Sequence, residues 1–319
     1  MSTVTGDERR GVDPAVPAEL QPVPRPRKPI AVRPGRVLRY ALLIGLSILF
    51  VAPFAFMVTA SFLPLERMFR LPPAWLPVDD PTIANYAGFF TSDRPIGRWI
   101  FNSMFVSVSV TVLQLFFSSL VAYTFAKRTF PGRDFLFFLG LATFMLPGEV
   151  TLIPNYLIMR SFPLLGGNDL YGVGGHGMLD SYLGLILPNL VSVFGIFLLR
   201  QYMKSAVPDE LIDAARIDGA GHFRIYWSVV MPMCKPALAA LAIFTFQFYW
   251  EDFLGPLIII SSPELFTLPL GLATFVLKNR TVWNVVMAGS VLATLPMIIV
   301  FMIFQRHFVK GVSLSGLKG

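Results

Sequence analysis

The sequence contains little cysteine, little histidine and little charge. Its 319 residues include one cysteine, Cys234, and three histidines, so the chain cannot form an internal disulfide framework or a cysteine-rich metal site. Only 14% of the residues are charged, whereas a soluble domain has about a quarter. Apolar residues make up 55%, and the mean hydropathy is +0.64. These values exclude an ordinary soluble domain, and Cys234 is expected to be a small apolar residue.

Long apolar runs account for this composition. A helix that crosses about 30 Å of hydrocarbon needs about 20 apolar residues. Six runs meet this length, although Glu149 interrupts the third and the fifth contains Glu251 and Asp252; they are 40–65, 99–126, 135–159, 181–199, 231–260 and 281–305. They lack the alternation of a barrel strand, and backbone in lipid must satisfy its own hydrogen bonds. The sequence therefore predicts an all-α polytopic membrane protein with six transmembrane helices.

The basic residues predict the orientation of these helices. With the N-terminus in the cytoplasm, 19 of the 26 lysines and arginines fall in the two termini, the 2–3 loop and the 4–5 loop. Basic residues are enriched on the cytoplasmic side, so both termini are predicted to be cytoplasmic. The net charge of +7 then reports topology, and nucleic acid is not an expected partner.

The chain is predicted to divide into three parts. Residues 1–36 contain prolines and basic residues but no apolar run long enough for a signal peptide, and they are interpreted as a disordered cytoplasmic arm whose basic end contacts membrane lipid. Residues 37–308 form the transmembrane domain, and residues 309–319 form a cytoplasmic tail. The glycine-rich stretch 166–177 in the 3–4 loop is either a flexible connector or a contact loop.

The 4–5 loop carries a short helix signal between Pro208 and Gly221. Pro208 suits the first helical position, Asp209 and Glu210 place negative charge at the positive end of the helix dipole, and Gly219 can end the helix. Leu211, Ile212 and Ile217 give the helix an apolar face. On physical grounds alone, this face could equally rest on lipid headgroups or dock another protein.

A resemblance to a known family favours docking. Asp213-Ala214-Ala215, followed by Gly219 and then by Met231-Pro232, resembles the coupling signature of binding-protein-dependent ABC importer permeases. The local sequence Ala215-Arg216-Ile217-Asp218-Gly219-Ala220 is similar to that of the carbohydrate-uptake branch, the maltose and glycerol-3-phosphate type. Further similar blocks are Trp250 to Leu257, Thr267 to Leu272, Ala288 to Pro296 and Phe304 to Gly311, so the resemblance covers residues 37–319.

The resemblance implies the smaller permease subunit, with the type I importer permease fold, in the plasma or inner membrane of a bacterial-type cell. Its implied partners are a second permease that completes a heterodimeric channel, two ATPase subunits, an extracytoplasmic solute-binding protein and a sugar or sugar derivative. The chain has no phosphate-binding Gly-x-x-x-x-Gly-Lys-Ser/Thr motif, so it is expected to be non-catalytic and to bind no cofactor, with ATP and Mg²⁺ on the ATPases. Coupling helices are implied at about 208–224, with ATPase-coupling residues at Asp209, Glu210, Asp213, Ala214, Ala215, Asp218, Gly219 and Pro232.

Two residues depart from the family pattern. Asp213 stands where the family usually has glutamate, so a direct ion pair to the ATPase would be longer or bridged by water. Glu251 stands where many relatives have asparagine, so the fifth span carries two adjacent acids whose titration can be coupled.

Sugars require hydroxyl partners and flat apolar faces, so polar and aromatic residues within the spans are candidates for the substrate pathway. They are Asn102, Ser103, Glu149, Asn155, Tyr156, Asn189, Gln247, Tyr249, Trp250, Glu251 and Asp252. Interhelical hydrogen bonding is the alternative for Asn189 and Gln247, packing for Trp250, and a water-exposed helix end for Glu251 and Asp252. By resemblance, the binding-protein contacts are Ser261, Ser262, Pro263 and Glu264.

Two other classes of protein remain as alternatives. A secondary transporter or channel could also be a six-helix bundle, but it usually carries ion-coupling charges or broken helices in repeated halves. An intramembrane enzyme needs a nucleophile with its base or a metal cluster within the membrane. His176, His222 and His307 fall in predicted loops or at a span end, and Cys234 has no neighbouring ligand, so the sequence favours the importer permease.

Overall fold

The computed structural model describes residues 34–69, 81–276 and 282–315. Most of the predicted arm 1–36 and the last four residues of the predicted tail lie outside this range. Residues up to Val51 form one unit, whose described part is the first helix from Pro34 to Val51. Residues from Ala52 form the second unit, to which the contacts and cavities below belong.

Every regular element in the described ranges is helical, as the sequence predicts. Leu187–Asn189 and Pro263–Leu265 are short 3-10 helices, and Tyr226–Val230 is a π-helix. The α-helices in chain order are α1 Pro34–Ser61, α2 Leu65–Met68, α3 Ala84–Thr91, α4 Ile96–Lys127, α5 Arg133–Phe144, α6 Gly148–Arg160, α7 Tyr182–Ile186, α8 Val193–Ala206, α9 Asp209–Ile217, α10 His222–Ile225, α11 Met231–Met233, α12 Lys235–Glu251, α13 Leu254–Ile259, α14 Leu268–Val276 and α15 Trp283–Ser315.

Four helical stretches are long and apolar enough to cross a membrane, namely Val37–Ser61, Ile96–Lys127, Tyr182–Ala206 and Trp283–Gln305. The third of them comprises α7, the 3-10 helix Leu187–Asn189 and α8. Two more spans arise if each of two bent pairs crosses as a unit. The first pair is α5 with α6, bent by 101°, and the second is His222–Met233 with α12, bent by 81°. These helices agree with the six predicted spans in number, and α15 continues through the predicted boundary at residue 308 to Ser315.

The third and fifth spans differ from the straight helices that their apolar runs predict. The chain leaves the helix after Phe144 and starts α6 at Gly148, directly after Pro147, because proline disfavours helix in the residue before it. The main helix of the fifth span, α12, begins at Lys235 and ends at Glu251, so Asp252 and the apolar run up to Ile260 lie beyond it. Hydrophobicity gives the length of an apolar run but not the place where it bends.

Helix α4 forms the centre of the second unit and packs against α8 and α12. Small hydroxyl residues, Ser107, Ser118 and Ser119 among them, are buried along α4 and let neighbouring helices approach closely. Because a helix rises 1.5 Å per residue, Trp99 and Lys127 lie about 42 Å apart along α4. The two ends of the bundle are therefore named the Trp99 end and the Lys127 end.

Apolar clusters fill both ends. At the Lys127 end, Tyr123, Met203 and Tyr226 form a buried cluster that includes Cys234, which is fully buried and apolar in its surroundings as expected. At the Trp99 end, Trp99 packs with Trp250 and Phe275. The two clusters fix the chain segments that carry the sites described next.

Candidate coupling surface and translocation cavity

Helix α9 is the predicted short helix of the 4–5 loop. It begins at Asp209, one residue after the predicted start, because Pro208 has extended backbone angles (φ −61°, ψ 140°). It ends at Ile217, and Gly219 then adopts a left-handed conformation with φ +77°. The Gly219 N–H donates to the Arg216 carbonyl at 3.0 Å and the Ala220 N–H to the Ala215 carbonyl at 2.9 Å. This geometry confirms the short helix and its glycine end.

One side of α9 is anchored on the bundle. Ile212 is only 2% exposed and belongs to the cluster that contains Tyr123, Met203 and Tyr226. The prediction that Ile212 forms part of a free apolar face is therefore wrong, because this side chain packs inward. Leu211 and Ile217 remain 45% and 87% exposed, so the outer side of α9 carries the available apolar surface.

The predicted coupling residues mostly lie on the exposed surface of the Lys127 end. Asp213 pairs with Arg216 of the same helix at 2.9 Å, and both side chains are solvent-accessible. Ala215 is half-buried at the junction with the bundle. The other predicted residues are exposed, namely Asp209, Glu210, Ala214, Asp218, Gly219 and Pro232. The surface combines acids, small residues and two large aliphatic side chains.

Two basic residues of the 2–3 loop hold this surface, a role that the sequence did not reveal. Lys127, whose side chain is 5% exposed, donates to the Val207 carbonyl at 2.6 Å and to the Asp209 carboxylate at 2.8 Å. Arg128 Nη1 lies 2.8 Å from Nε2 of His222. These contacts clamp both ends of the segment that contains α9. Their sequence signal, basic residues at the end of a span, indicated only topology.

Replacing Lys127 with methionine is expected to loosen the start of α9. The change removes a charge-assisted hydrogen bond to a carbonyl and leaves that carbonyl without its partner, a loss of about 1.5 kcal/mol. We expect amide hydrogen exchange at Ile212 and Asp213 to become about tenfold faster, which corresponds to this free energy. Lys204→Met, an exposed change in α8, serves as the control. Equal exchange in both variants would show that Lys127 does not hold α9.

Toward the other end, a cavity of about 390 Å³ opens between α6, α12 and α13. It brings together six of the eleven predicted pathway residues, which come from three spans and the segment that follows the fifth. They are Glu149, Asn155, Tyr156, Asn189, Tyr249 and Asp252. Apolar side chains, including those of Leu152, Phe248 and Ile258, complete the wall. The cavity thus combines hydroxyl, amide and carboxylate groups with aromatic rings.

The other five predicted pathway residues lie elsewhere. The Trp250 ring donates to the Ala293 carbonyl at 2.9 Å and is 3% exposed. Trp250 and Glu251 line a separate groove of about 450 Å³ beside Thr294, and Gln247 is exposed without lining the cavity. Asn102 and Ser103 hydrogen-bond to the chain that follows the fifth span: Asn102 Nδ2 donates to the carbonyls of Glu264 and Phe266, and Ser103 Oγ accepts from the Leu268 N–H.

The predicted binding-protein contacts, Ser261, Ser262, Pro263 and Glu264, form one firmly held segment, which we call the 261–264 segment. The Trp99 ring donates to the Pro263 carbonyl at 2.7 Å. Asp180, which the sequence did not single out, accepts from the Ser261 N–H at 3.0 Å, the Ser262 N–H at 2.9 Å and the Ser262 hydroxyl at 2.5 Å. These bonds join the 3–4 loop to the 261–264 segment.

The glycine-rich stretch 166–177 is a hydrogen-bonded loop. Asn168 is buried, and its amide donates to the carbonyls of Arg160 and Phe162 and accepts from the Gly175 N–H. Gly177 has φ +61°, and a Cβ there would lie 2.2 Å from the Met159 carbonyl oxygen. Tyr171 is 85% exposed. Of the two predicted readings, this bonding favours a shaped contact loop.

The charge of Asp180 is expected to fasten the 261–264 segment. Burial alone would raise the pKa of the Asp180 carboxyl, but the hydrogen bonds from Ser262 and Ser261 outweigh it and lower the pKa below the ordinary 3.8. A lowered pKa means that the stabilisation is fully present above pH 3.8 and is lost as the pH falls through the folded-state value. We expect the amide NMR signals of Ser261 and Ser262 to titrate together with a midpoint below 3.8.

Asp180→Ala should abolish that titration and shift both amide signals toward their solvent-exposed positions. Asp169→Ala is the matched control, because among the described residues the Asp169 carboxylate accepts only from Tyr171 and Val173, within the glycine-rich stretch. An unchanged titration in Asp180→Ala would assign the effect to another group.

Comparison with known proteins places this geometry in a family. The family described as "Binding-protein-dependent transport system inner membrane component" matches residues 30–314. The chain is 35% identical over 289 residues to the arabinooligosaccharides transport system permease protein AraQ of Halalkalibacterium halodurans, covering 89% of this chain and 98% of that protein. It is 34% identical over 276 residues to the sn-glycerol-3-phosphate transport system permease protein UgpE of Yersinia enterocolitica, covering 85% and 92%.

A solved structure shares the fold. A chain of a bacterial ABC transporter involved in the import of the acidic polysaccharide alginate superposes with a TM-score of 0.74 at 23% identity, covering 88% of this chain and 99% of that one. This chain belongs to the family of inner membrane components of binding-protein-dependent transport systems.

Proposed function

We propose that the chain is the smaller of two permease subunits of an ATP-driven, binding-protein-dependent sugar importer, and that it forms half of the translocation pathway. Family membership sets aside the secondary transporter, the channel and the intramembrane enzyme. The relatives named for arabinooligosaccharides and glycerol 3-phosphate support a sugar or sugar derivative as substrate. The single observation that carries the mechanism is α9, which is anchored on one side and exposed on the other.

In this proposal the Lys127 end faces the cytoplasm, where two ATPase subunits bind ATP and Mg²⁺. One ATPase receives the exposed side of α9 in a cleft and moves it when the ATPase dimer closes. Ile212 packs in the same cluster as Leu199 of α8 and Leu241 of α12, so displacement of α9 is transmitted to these helices. Closely packed interiors transmit strain because they deform little.

The helices that receive this motion also reach the cavity. Tyr249 lies in the last turns of α12 and Asp252 directly follows that helix, and both line the cavity. A shift of α12 therefore changes the cavity's shape, which is the requirement for alternating access. The 261–264 segment faces the solute-binding protein at the outer side, where the Trp99 and Asp180 bonds hold it in one shape.

Reconstitution tests the proposal. The purified chain alone is expected neither to hydrolyse ATP nor to accumulate sugar in vesicles. With its partner permease, its ATPase subunits and the sugar-loaded binding protein, the complex should hydrolyse ATP faster than without the binding protein and should accumulate the sugar. Solute uptake by the single chain, driven by an ion gradient without ATP, would contradict the proposal.

A further inference from the structure

The cavity between α6, α12 and α13 carries charge of one sign. Two of its lining residues, Glu149 and Asp252, are acidic, and none of the sixteen lining residues is lysine, arginine or histidine. Its other hydrogen-bonding side chains are the amides of Asn155 and Asn189 and the phenols of Tyr156 and Tyr249. An anion in this cavity would meet two like charges and find no cation among its walls.

The break in the third span places a helix start at this cavity. Helix α6 has 13 residues and begins at Gly148, and both Gly148 and Glu149 line the cavity. The free N–H groups of such a start act as about half a positive charge and would attract an anion. Glu149 lies in the first turn, and its full negative charge exceeds that partial positive charge. The local field at this helix start is therefore negative.

The second helix start on the cavity is also occupied by a carboxylate. Helix α13 begins at Leu254, and the Asp252 carboxylate accepts a hydrogen bond from the Gly255 N–H at 3.2 Å. A Cβ on Gly255 would lie 2.6 Å from Asp252 Oδ2, so the carboxylate lies directly against this turn. Neither helix start leaves its positive end free for a phosphate or carboxylate of a solute.

We infer that this half of the pathway admits uncharged saccharides and rejects anionic ones. Amide, phenol and carboxylate groups can all hydrogen-bond sugar hydroxyls, and the rings of Tyr156, Phe248 and Tyr249 offer apolar faces to the sugar ring. Relatives of this chain are named for both kinds of solute, an uncharged arabinooligosaccharide and an anionic glycerol phosphate. The charge of the cavity groups this chain with the first kind. The inference rests on the proposed import function.

A matched pair of solutes tests the inference. The complete transporter in vesicles, with its binding protein, receives a mixture of neutral oligosaccharides from plant arabinan, xylan and starch, and separately the same mixture oxidised to aldonates. Each aldonate differs from its parent by one carboxylate. Glycerol 3-phosphate serves as a third probe. The affinity of the binding protein for each solute is measured first. Every solute is then supplied at a concentration that saturates the binding protein, so that the comparison concerns the membrane step.

We expect the neutral oligosaccharides to accumulate at least about tenfold faster than their aldonates, since the added carboxylate is repelled by the two carboxylates that line the cavity. Glu149→Gln should raise the ratio of aldonate to neutral uptake by about tenfold, because it removes one of the two charges. Glu251→Gln is the matched control. It makes the same change at the residue before Asp252, which lines a separate groove and not this cavity. Its ratio should equal that of the unmodified transporter.

Uptake of aldonates or glycerol 3-phosphate within threefold of the neutral sugars would overturn the inference, as would equal ratios in Glu149→Gln and Glu251→Gln. Either result leaves the import function standing, provided that the binding protein stimulates ATP hydrolysis. If no solute stimulates hydrolysis or accumulates, the proposed function itself fails, and the inference fails with it.

Discussion

Replacing Gly219 with proline is expected to reduce ATP-driven uptake at least about a hundredfold while the chain still inserts into the membrane. Gly219 has φ +77°, and proline is fixed near −65°, so the turn after α9 must refold. The change also removes the N–H that bonds to the Arg216 carbonyl. The exposed side of α9 would then leave the position in which an ATPase can receive it. Uptake into vesicles and the yield of chain in the membrane fraction measure the two effects.

Gly219→Asn separates backbone conformation from contact. A Cβ at Gly219 meets no atom of the described residues within 4 Å, and asparagine tolerates the left-handed conformation better than other side chains. This variant should therefore keep most of the uptake, whereas Gly219→Val, with a branched side chain, should behave more like Gly219→Pro. Full uptake by Gly219→Pro would show that the shape of this turn does not couple the two subunits.

Helix α9 could be predicted from the sequence because its signals are local. Acids in the first turn, a proline before them and a glycine after Ile217 all lie within a dozen residues of one another. The direction in which its side chains point depends on distant residues. Ile212 packs inward because Tyr123 and Met203 lie beneath it. Ile217 is five positions further along and therefore lies on another side of the helix, but the sequence of α9 does not show which side meets the bundle.

The clamp at Lys127 and the bonds of Asp180 were missed for the same reason. Each joins residues about 80 positions apart, Lys127 to Asp209 and Asp180 to Ser262. Before folding, Lys127 is a basic residue at a span end, and such residues report topology. The number and approximate positions of the spans follow from hydrophobicity, whereas these pairings follow only from the packing of α4 against its neighbours.

The predicted pathway residues were chosen by their depth within the spans, and depth alone does not identify the residues that line the cavity. Glu149, Asn155 and Tyr156 line the cavity because the third span breaks at Pro147 and α6 starts there. Trp250 and Asp252 are two positions apart, yet Trp250 bonds to the Ala293 carbonyl and Asp252 lines the cavity. Trp250 lies within α12 and Asp252 follows its last residue, so a list chosen by depth alone includes residues with different surroundings.

Gly271→Ala is expected to destabilise the Trp99 end of the bundle. A Cβ at Gly271, in α14, would lie 2.1 Å from Cε3 of the Trp99 ring, and that ring is 2% exposed and bonded to the Pro263 carbonyl. The ring cannot rotate away without losing this bond and its contact with Phe275. Overpacking of this kind costs about 2 kcal/mol, which exceeds the gain of up to about 1 kcal/mol from replacing glycine in a helix. We therefore expect a lower melting temperature and a displaced 261–264 segment.

Two further variants test the cause of this destabilisation. Gly140→Ala, in α5, adds the same methyl group where no atom in the described part of the chain lies within 4 Å, so it should gain the helix propensity and leave the melting temperature equal or higher. Trp99→Leu combined with Gly271→Ala replaces the ring that the new methyl group would overlap. The double variant should therefore lose less stability than the two single variants lose together, with a coupling energy of at least about 0.5 kcal/mol. Strict additivity would show that the Trp99 ring and Gly271 do not oppose each other, and that the close approach of α14 to α4 has another origin.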